Sequence, residues 1–419
     1  DRTITYTIQT MKVRLINLGC RSNYFDAEFM SYKLVNQGSY TVSSEEPADV
    51  YIINTCTVTS EADRSSRQAI YRAKRENPRA IVVATGCYAQ VNPGALAELK
   101  EVDIVVGNSY KHRIAEILEE FLENRGQRVW VDNIFKQGQV YSFDLITYFD
   151  RARPFLKVQE GCNNFCTFCI IPFARGKVRS VPMEKVLQEA RLIADRGFQE
   201  IVLTGTQLTQ YGWDGGTSLY ELLKELVKIE GLELIRLSSL HPAEIGDDLL
   251  EFLLSEEKIA PHFHLSLQSG SDRILELMER GYTVKDYIGL VESIVRKRPL
   301  ASIGTDIIAG FPSETEEEHT QTCELLEELP IAYIHVFPYS DRALTKSSKM
   351  KNKVSHEVKE ERVRRLIDID KRKREKFYEK NLGMELRAVS VGDHKLLTEN
   401  YLQITGEGPP GKVIRVKVL

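Results

Sequence analysis

The sequence predicts an α/β protein in three parts: an N-terminal doubly wound parallel sheet, a central partial (β/α)6 barrel and a small C-terminal β-barrel. Three observations predict it. Short apolar strands alternate with helical stretches over residues 12–123. A second series of the same kind runs over residues 155–336. After a charged helical run at 360–380, the chain breaks into short strands separated by Gly-containing turns. Strand–helix alternation implies parallel strands covered by helices. The parts fall at residues 11–140, 150–375 and 376–419.

In the first part, strands are expected at Lys12–Leu18, Asp49–Ile53, Ala80–Thr85 and Asp103–Val106. Helices are expected at Tyr24–Asn36, Ser60–Arg75 and Tyr110–Glu123. Residues 1–10 are polar and read as an extension outside the fold, with no apolar core of a signal peptide. Cys20, Cys56 and Cys87 each lie just past the carboxyl end of a strand. In an open parallel sheet those ends share the edge where ligands bind. Three thiolates on one edge make a three-ligand site, for which a [4Fe-4S] cluster with a free iron is expected; the plain alternative is three buried core cysteines. Gly19 and Gly86 precede two of the ligands and let the backbone turn close to a bulky group. Asn54 and Thr55 are candidates to donate hydrogen bonds to such a cluster, or to cap the next helix.

In the second part, the strands expected are Phe155–Gln159, Glu200–Thr204, Glu233–Leu237, His262–Leu267, Ile303–Ile308 and Tyr333–Val336. Helices are expected at Met183–Arg196, Ser218–Ile229, Ser271–Met278, Val284–Arg296 and Thr315–Leu329. Six units stop short of a closed barrel, and ligands are expected at the carboxyl ends of the strands. The first strand leads into Cys162, Cys166 and Cys169, spaced Cys-x3-Cys-x2-Cys. Three thiolates can hold three irons of a cubane and leave the fourth open to a small molecule. Structural zinc normally takes four ligands, and no fourth Cys or His follows at ligand spacing, so zinc and unligated thiols are the lesser alternatives. Thr204, Gly205, Thr206, Ser239, Gln268 and Gly310 lie at strand ends where a nucleotide would have to fit, although each alone could be an ordinary turn.

In the third part, the strands expected are Met384–Val391, Tyr401–Ile404 and Lys412–Val418. Arg415 and Lys417 share one face of the last strand, with Lys412 at its start. The plain reading is a solvated basic helix leading to a structural barrel. Arg175, Lys177 and Arg179, just past the cysteine loop, form another basic group, read either as an RNA contact or, almost as readily, as surface salt bridges.

Composition sets bounds. Hydrophobic content of 42% is that of a globular protein, and a net charge of −4 does not advertise a nucleic-acid binder, although the sum hides local patches. No run of about 18 uncharged apolar residues suggests a membrane span. Seven cysteines, an odd number, favour thiolate ligands in a reducing, cytoplasmic compartment over disulfides. The seventh, Cys323, reads as a small core residue.

Cys162 to Cys169 resembles the cluster loop of radical S-adenosylmethionine (SAM) enzymes, with Phe168 at the position that lies near the adenine. The resemblance implies that SAM chelates the open iron and is cleaved to a 5′-deoxyadenosyl radical. Asn54–Asp63, Thr85–Gln90 and Gly161–Pro172 together resemble the methylthiotransferases, in particular the branch acting on tRNA N6-threonylcarbamoyladenosine. That implies two [4Fe-4S] clusters, two SAM, an anticodon stem-loop as partner and an electron donor such as flavodoxin or ferredoxin. The branch attaches a methylthio group at C2 of the adenine. Sister branches act on isopentenyladenosine or on a ribosomal protein. Two departures stand out: Leu344-Thr345-Lys346 where Gly-Thr-Pro is usual, and Ser266 where proline is common. Thr398-Glu399-Asn400-Tyr401 resembles the core motif of TRAM domains, which bind RNA, and the resemblance makes Tyr401, as a base-stacking ring, and Lys412, Arg415 and Lys417 candidate RNA contacts.

Overall fold

The computed structural model describes residues 10–43, 47–124, 127–138, 140 and 153–419. These form two compact units. One is the described residues up to 140 together with Ile170–Lys177; the other is the rest. The C-terminal sheet therefore belongs with the barrel, and the segment after the cysteine loop belongs with the first sheet.

The first unit is a six-stranded, wholly parallel sheet. Its strands are β1 (Met11–Asn17), β2 (Tyr40–Val42), β3 (Val50–Thr55), β4 (Ile81–Gly86), β5 (Ile104–Val106) and β6 (Val129–Trp130), in the order β2-β1-β3-β4-β5-β6. Alternate residues of each central strand feed two cores. Ile52, Val83 and Val106 meet Met30, Leu34 and Phe121 on one face. Tyr51, Ile53 and Val82 meet Ile70 and Ala73 on the other. Burying each such side chain contributes about 1.5–3 kcal/mol, so both layers are held strongly to the sheet. Helix Ser60–Glu76 begins where Thr59 accepts from the Ala62 amide; Glu61 and Asp63 lie in its first turn and Lys74 and Arg75 in its last, matching the helix dipole. The helix expected over Tyr110–Glu123 opens instead with a 3-10 turn, Asn108–Arg113, before helix Ile114–Asn124.

In the second unit, β7 (Phe155–Glu160), β9 (Glu200–Gly205) and β10 (Leu234–Leu237) pair in parallel, with β8 (Arg179–Ser180) antiparallel on the edge of β7. A second parallel group holds β11 (His262–His264), β12 (Ser302–Ala309) and β13 (Tyr333–Pro338). Parallel bridges Ile235–Ile259 and Leu240–Leu265 join the groups. Six parallel strands in chain order, separated by helices, make the expected partial barrel. β11 is shorter than the expected His262–Leu267, because the chain beyond it pairs only at isolated points, Leu240–Leu265 and Gln268–Ile307.

Helix His356–Asn381 leads to a four-stranded antiparallel sheet of β14 (Glu385–Gly392), β15 (Lys395–Thr398), β16 (Gln403–Thr405) and β17 (Val413–Lys417), in the order β16-β15-β14-β17. β15 was not expected. It follows a two-residue turn, Asp393-His394, with φ of 50° and 55°; positive φ at both positions is the tight hairpin geometry usually signalled by Asn-Gly. Buried Arg236 of β10 ties this sheet to the barrel, donating to the carbonyls of Glu399 (2.9 Å) and Thr398 (3.1 Å) and to Oε1 of Glu200 (2.8 Å).

Candidate metal centres and ligand site

In the first unit, strand register brings the three cysteines to one edge. Asn17 pairs with Asn54, Asn54 with Thr85, and Thr55 with Gly86, so the residues after β1, β3 and β4 emerge at one level. Glycine is required here. Gly19 has φ of 100°, and a Cβ on it would sit 2.9 Å from Cys56 Cβ and 3.0 Å from its Sγ. Gly86 has φ of 96°, and a Cβ on it would sit 2.4 Å from the Thr55 carbonyl oxygen. Cys56 and Cys87 are buried and Cys20 is exposed. Burial, then the neighbouring Cys87, pushes the Cys56 thiol up to about 12, and Cys20 adds to the effect.

The surroundings suit a polar group that is not a side chain. Asn17 Nδ2 and Thr85 Oγ1 are buried with no hydrogen-bond partner. Asn108 Nδ2 lies 3.8 Å from Cys87 Sγ, and Cys87 Sγ lies 3.8 Å from Asn23 Oδ1. The donors expected at Asn54 and Thr55 are engaged elsewhere. Asn54 Nδ2 donates to Asn17 Oδ1 (2.7 Å) and the Asn23 carbonyl (2.8 Å), and Thr55 Oγ1 donates to the Thr85 carbonyl. They brace the strand ends. Asn23 and Asn108 are the polar neighbours of the thiols, and nothing in their local sequence marks them.

In the second unit, the loop after β7 carries Cys162, Cys166 and Cys169. It is pinned at several points. The Asn163 amide donates to Gln210 Oε1 (3.0 Å), while Gln210 Nε2 donates to Asn164 Oδ1 and Glu244 Oε1 (2.7 Å each). Thr167 Oγ1 donates to the Leu277 carbonyl (2.8 Å), and the Ser347 amide to the Thr167 carbonyl (2.8 Å). Buried Arg280 donates from Nη1 to Cys166 Sγ (3.2 Å) and from Nη2 to the Ser266 carbonyl (2.9 Å). Burial pushes the Cys162 thiol up to about 12, against the Asn164 amide, which lowers it. Phe168 packs against the apolar group of Ile274, Met278, Ile308, Phe311 and Tyr339.

Neither cysteine set has the geometry of a single-ion site. Among the described residues, the one group of three ligand atoms within 4.8 Å of one another is His264, Asp306 and His335. Three thiolates on one tetrahedral zinc, at about 2.3 Å each, would be about 3.8 Å apart. The wider spacing suits a cluster, whose thiolates bind different irons.

Around the ends of β9 and β10, Thr206 Oγ1, Ser238 Oγ and both ring nitrogens of His241 are buried without hydrogen-bond partners. Burial, then Arg280, lowers the His241 pKa to about 3, so the ring is neutral. His241 and Arg280 are additions that sequence reasoning missed. Of the expected contacts, Thr204 is buried, Ser239 is exposed and Gln268 takes φ of 76°. At two of the glycines a side chain would run into protein atoms. A Cβ on Gly205 would sit 2.8 Å from Gln159 Oε1, and one on Gly310 would sit 2.2 Å from Lys359 Cγ.

The basic candidates divide. Lys177, Lys412, Arg415 and Lys417 are exposed. Arg175 is 2% exposed and donates to Asp26 Oδ2 at 2.7 Å and to Asn23 Oδ1; it is a core ion pair and not a phosphate contact. Arg179 is likewise buried, with Nη2 3.8 Å from Glu160 Oε2. Tyr401 is partly buried: its ring stacks on His262 at 4.0 Å, with the Arg236 guanidinium 5.6 Å from its centroid, so it also links the sheet to the barrel. Cys323 is half-buried, with Sγ 3.4 Å from His319 Nε2.

A partial parallel barrel with a three-thiol loop after its first strand defines a radical SAM protein. Residues 156–326 match the radical SAM superfamily, and residues 12–107 match a family described as uncharacterized, UPF0004. A threonylcarbamoyladenosine tRNA methylthiotransferase of Aquifex aeolicus is 60% identical over 97% of this chain and 100% of its own length. Its Bacillus subtilis counterpart is 37% identical over 96% and 92%. A tRNA-2-methylthio-N(6)-dimethylallyladenosine synthase of Acetivibrio thermocellus is 35% identical over 93% and 84%. The chain belongs to the tRNA methylthiotransferase family of radical SAM enzymes. Solved structures share the fold at low identity. The radical SAM methyltransferase TsrM of Kitasatospora setae, with cobalamin and a [4Fe-4S] cluster, has a TM-score of 0.57 at 17% identity, covering 78% of this chain and 75% of that one. The cobalamin-dependent radical enzyme OxsB has a TM-score of 0.55 at 12% identity, covering 90% and 62%.

Proposed function

We propose that the chain attaches a methylthio group to C2 of N6-threonylcarbamoyladenosine beside the anticodon of tRNA, using two [4Fe-4S] clusters and SAM. The observation that carries this reading is the pair of three-thiol sites, each at the carboxyl end of strands of its own sheet. The relative at 60% identity favours the threonylcarbamoyl substrate over the dimethylallyl one, whose synthase is 35% identical.

Cys162, Cys166 and Cys169 would hold the cluster that SAM completes, and Cys20, Cys56 and Cys87 the other. When bound, these groups supply one-electron reduction of the sulfonium and a site for sulfur, chemistry that no side chain offers at an unactivated C–H bond. The residues do the positioning. Arg280 places a charge-assisted donor on Cys166, and Gln210 and Glu244 fix Asn163 and Asn164. Thr206, Ser238 and neutral His241 present unpartnered polar atoms for SAM. Lys412, Arg415 and Lys417 would contact RNA phosphates, giving affinity, while the extruded base gives specificity. Among the described residues no helix is long and apolar enough to cross a membrane. A cytoplasmic enzyme reduced by a flavodoxin or ferredoxin, acting on RNA and not DNA, fits the thiol-rich sites.

The test is anaerobic turnover with SAM, a reductant and threonylcarbamoylated or dimethylallylated anticodon stem-loop. Cys162→Ala should abolish 5′-deoxyadenosine formation. Cys56→Ala should keep it and lose the methylthio product. Product from the Cys56 variant, or preference for the dimethylallyl substrate, would refute the reading.

A further inference from the structure

His264, Asp306 and His335 stand on three adjacent parallel strands, β11, β12 and β13. Asp306 is in register with His335, and His264 with Gly304 two residues before Asp306. Because strand side chains alternate between faces, His264, Gly304, Asp306 and His335 share one face. The space a side chain at Gly304 would take on that face is filled by the Tyr333 ring, 2.0 Å from where a Cβ would lie. His264 Nε2 and His335 Nδ1 each lie 3.2 Å from the same oxygen, Oδ1 of Asp306. The other carboxylate oxygen accepts from Ser266 Oγ at 2.6 Å, which fixes the plane of the group. The His264 side chain is 8% exposed, and neither of its ring nitrogens has a partner in hydrogen-bonding geometry; the approach to Asp306 is close but misdirected for a hydrogen bond.

We propose that these three residues bind one divalent transition-metal ion, separate from the cysteine sites. The spacing fits. Ligands about 2.0–2.1 Å from one ion are about 2.9 Å apart at octahedral angles and about 3.4 Å apart at tetrahedral ones, and 3.2 Å falls between. Two imidazoles with one carboxylate suit zinc, iron, cobalt or nickel, and not magnesium or calcium, which take oxygen ligands. Ser266 holds the carboxylate as supporting residues do in metal sites. The His335 side chain is 49% exposed, so an ion can enter from solvent and keep open positions. A simple hydrogen-bonded cluster would leave His264 buried with unpaired nitrogens, at a cost that an ion removes.

The test uses the full chain with its cysteine sites loaded with iron and sulfide, titrated with zinc against a competing chelator. One zinc per chain is expected. Its X-ray absorption should show only nitrogen and oxygen neighbours, with the outer scattering of imidazole. Asp306→Asn and His335→Gln should each weaken zinc binding tenfold or more while iron content and circular dichroism stay unchanged. His335 is half-exposed, so its variant carries the test should the Asp306 variant fail to fold. Sulfur in the zinc shell, no retained zinc, or equal affinity in wild type and the His335 variant would overturn the proposal.

Discussion

Arg280 Nη1 lies 3.2 Å from Cys166 Sγ, though the two residues are 114 positions apart in sequence. If Cys166 holds the proposed cluster, a buried guanidinium on its sulfur stabilises extra negative charge there. It should therefore favour the reduced state of a cluster more than the oxidised one. Arg280→Gln is expected to keep the iron content and to lower the reduction potential. The shift should be on the order of 50–100 mV, since about 1.4 kcal/mol corresponds to 59 mV for one electron. Redox titration followed by electron paramagnetic resonance measures it.

Asp26 holds together the core of the first unit by accepting from both Lys111 Nζ and Arg175 Nη1 at 2.7 Å. Asp26→Asn strands two buried cations and should destabilise the fold by about 3–5 kcal/mol. The deficit should depend on pH. Burial lowers the Lys111 pKa below its ordinary value, with Asp26 opposing, so loss of Asp26 lowers it further. The native state then sheds its proton before the unfolded state does, and stability rises with pH. Denaturant titrations should show the variant recovering part of the loss as pH rises from the depressed value toward 10.5.

Gly19→Ala places a methyl group 2.9 Å from Cys56 Cβ and forces a residue with φ of 100° out of its backbone region. Iron bound by the N-terminal cysteines should fall sharply, while SAM cleavage at the barrel survives. Iron assay and 5′-deoxyadenosine yield on the same sample check both.

Replacing exposed Arg415 and Lys417 with alanine should weaken binding of the anticodon stem-loop whatever its sequence. The slope of log affinity against log salt should flatten by roughly 0.7–0.9 for each phosphate no longer neutralised. Arg175→Ala should instead act through stability, because its partner is Asp26.

The parts of the site that were legible in sequence are those fixed by local spacing or by strand ends. Cys-x3-Cys-x2-Cys is one loop, and Cys20, Cys56 and Cys87 follow strands whose shared direction sets them on one edge. What lines the thiols was hidden, since Arg280, Asn23 and Asn108 reach them only through tertiary folding. Charge was visible at Arg175 but not its pairing with Asp26, 149 residues away. Strand β15 was missed because its turn, Asp393-His394, lacks the glycine that normally marks positive φ.

The most direct measurement is iron and sulfide content of oxygen-free protein, for the wild type and for two variants each lacking one cysteine triad. About eight irons per chain are expected in the wild type and about four in either variant, because the two sites assemble independently. About four irons in the wild type, or both sites emptied by loss of one triad, would contradict the assignment of two separate clusters.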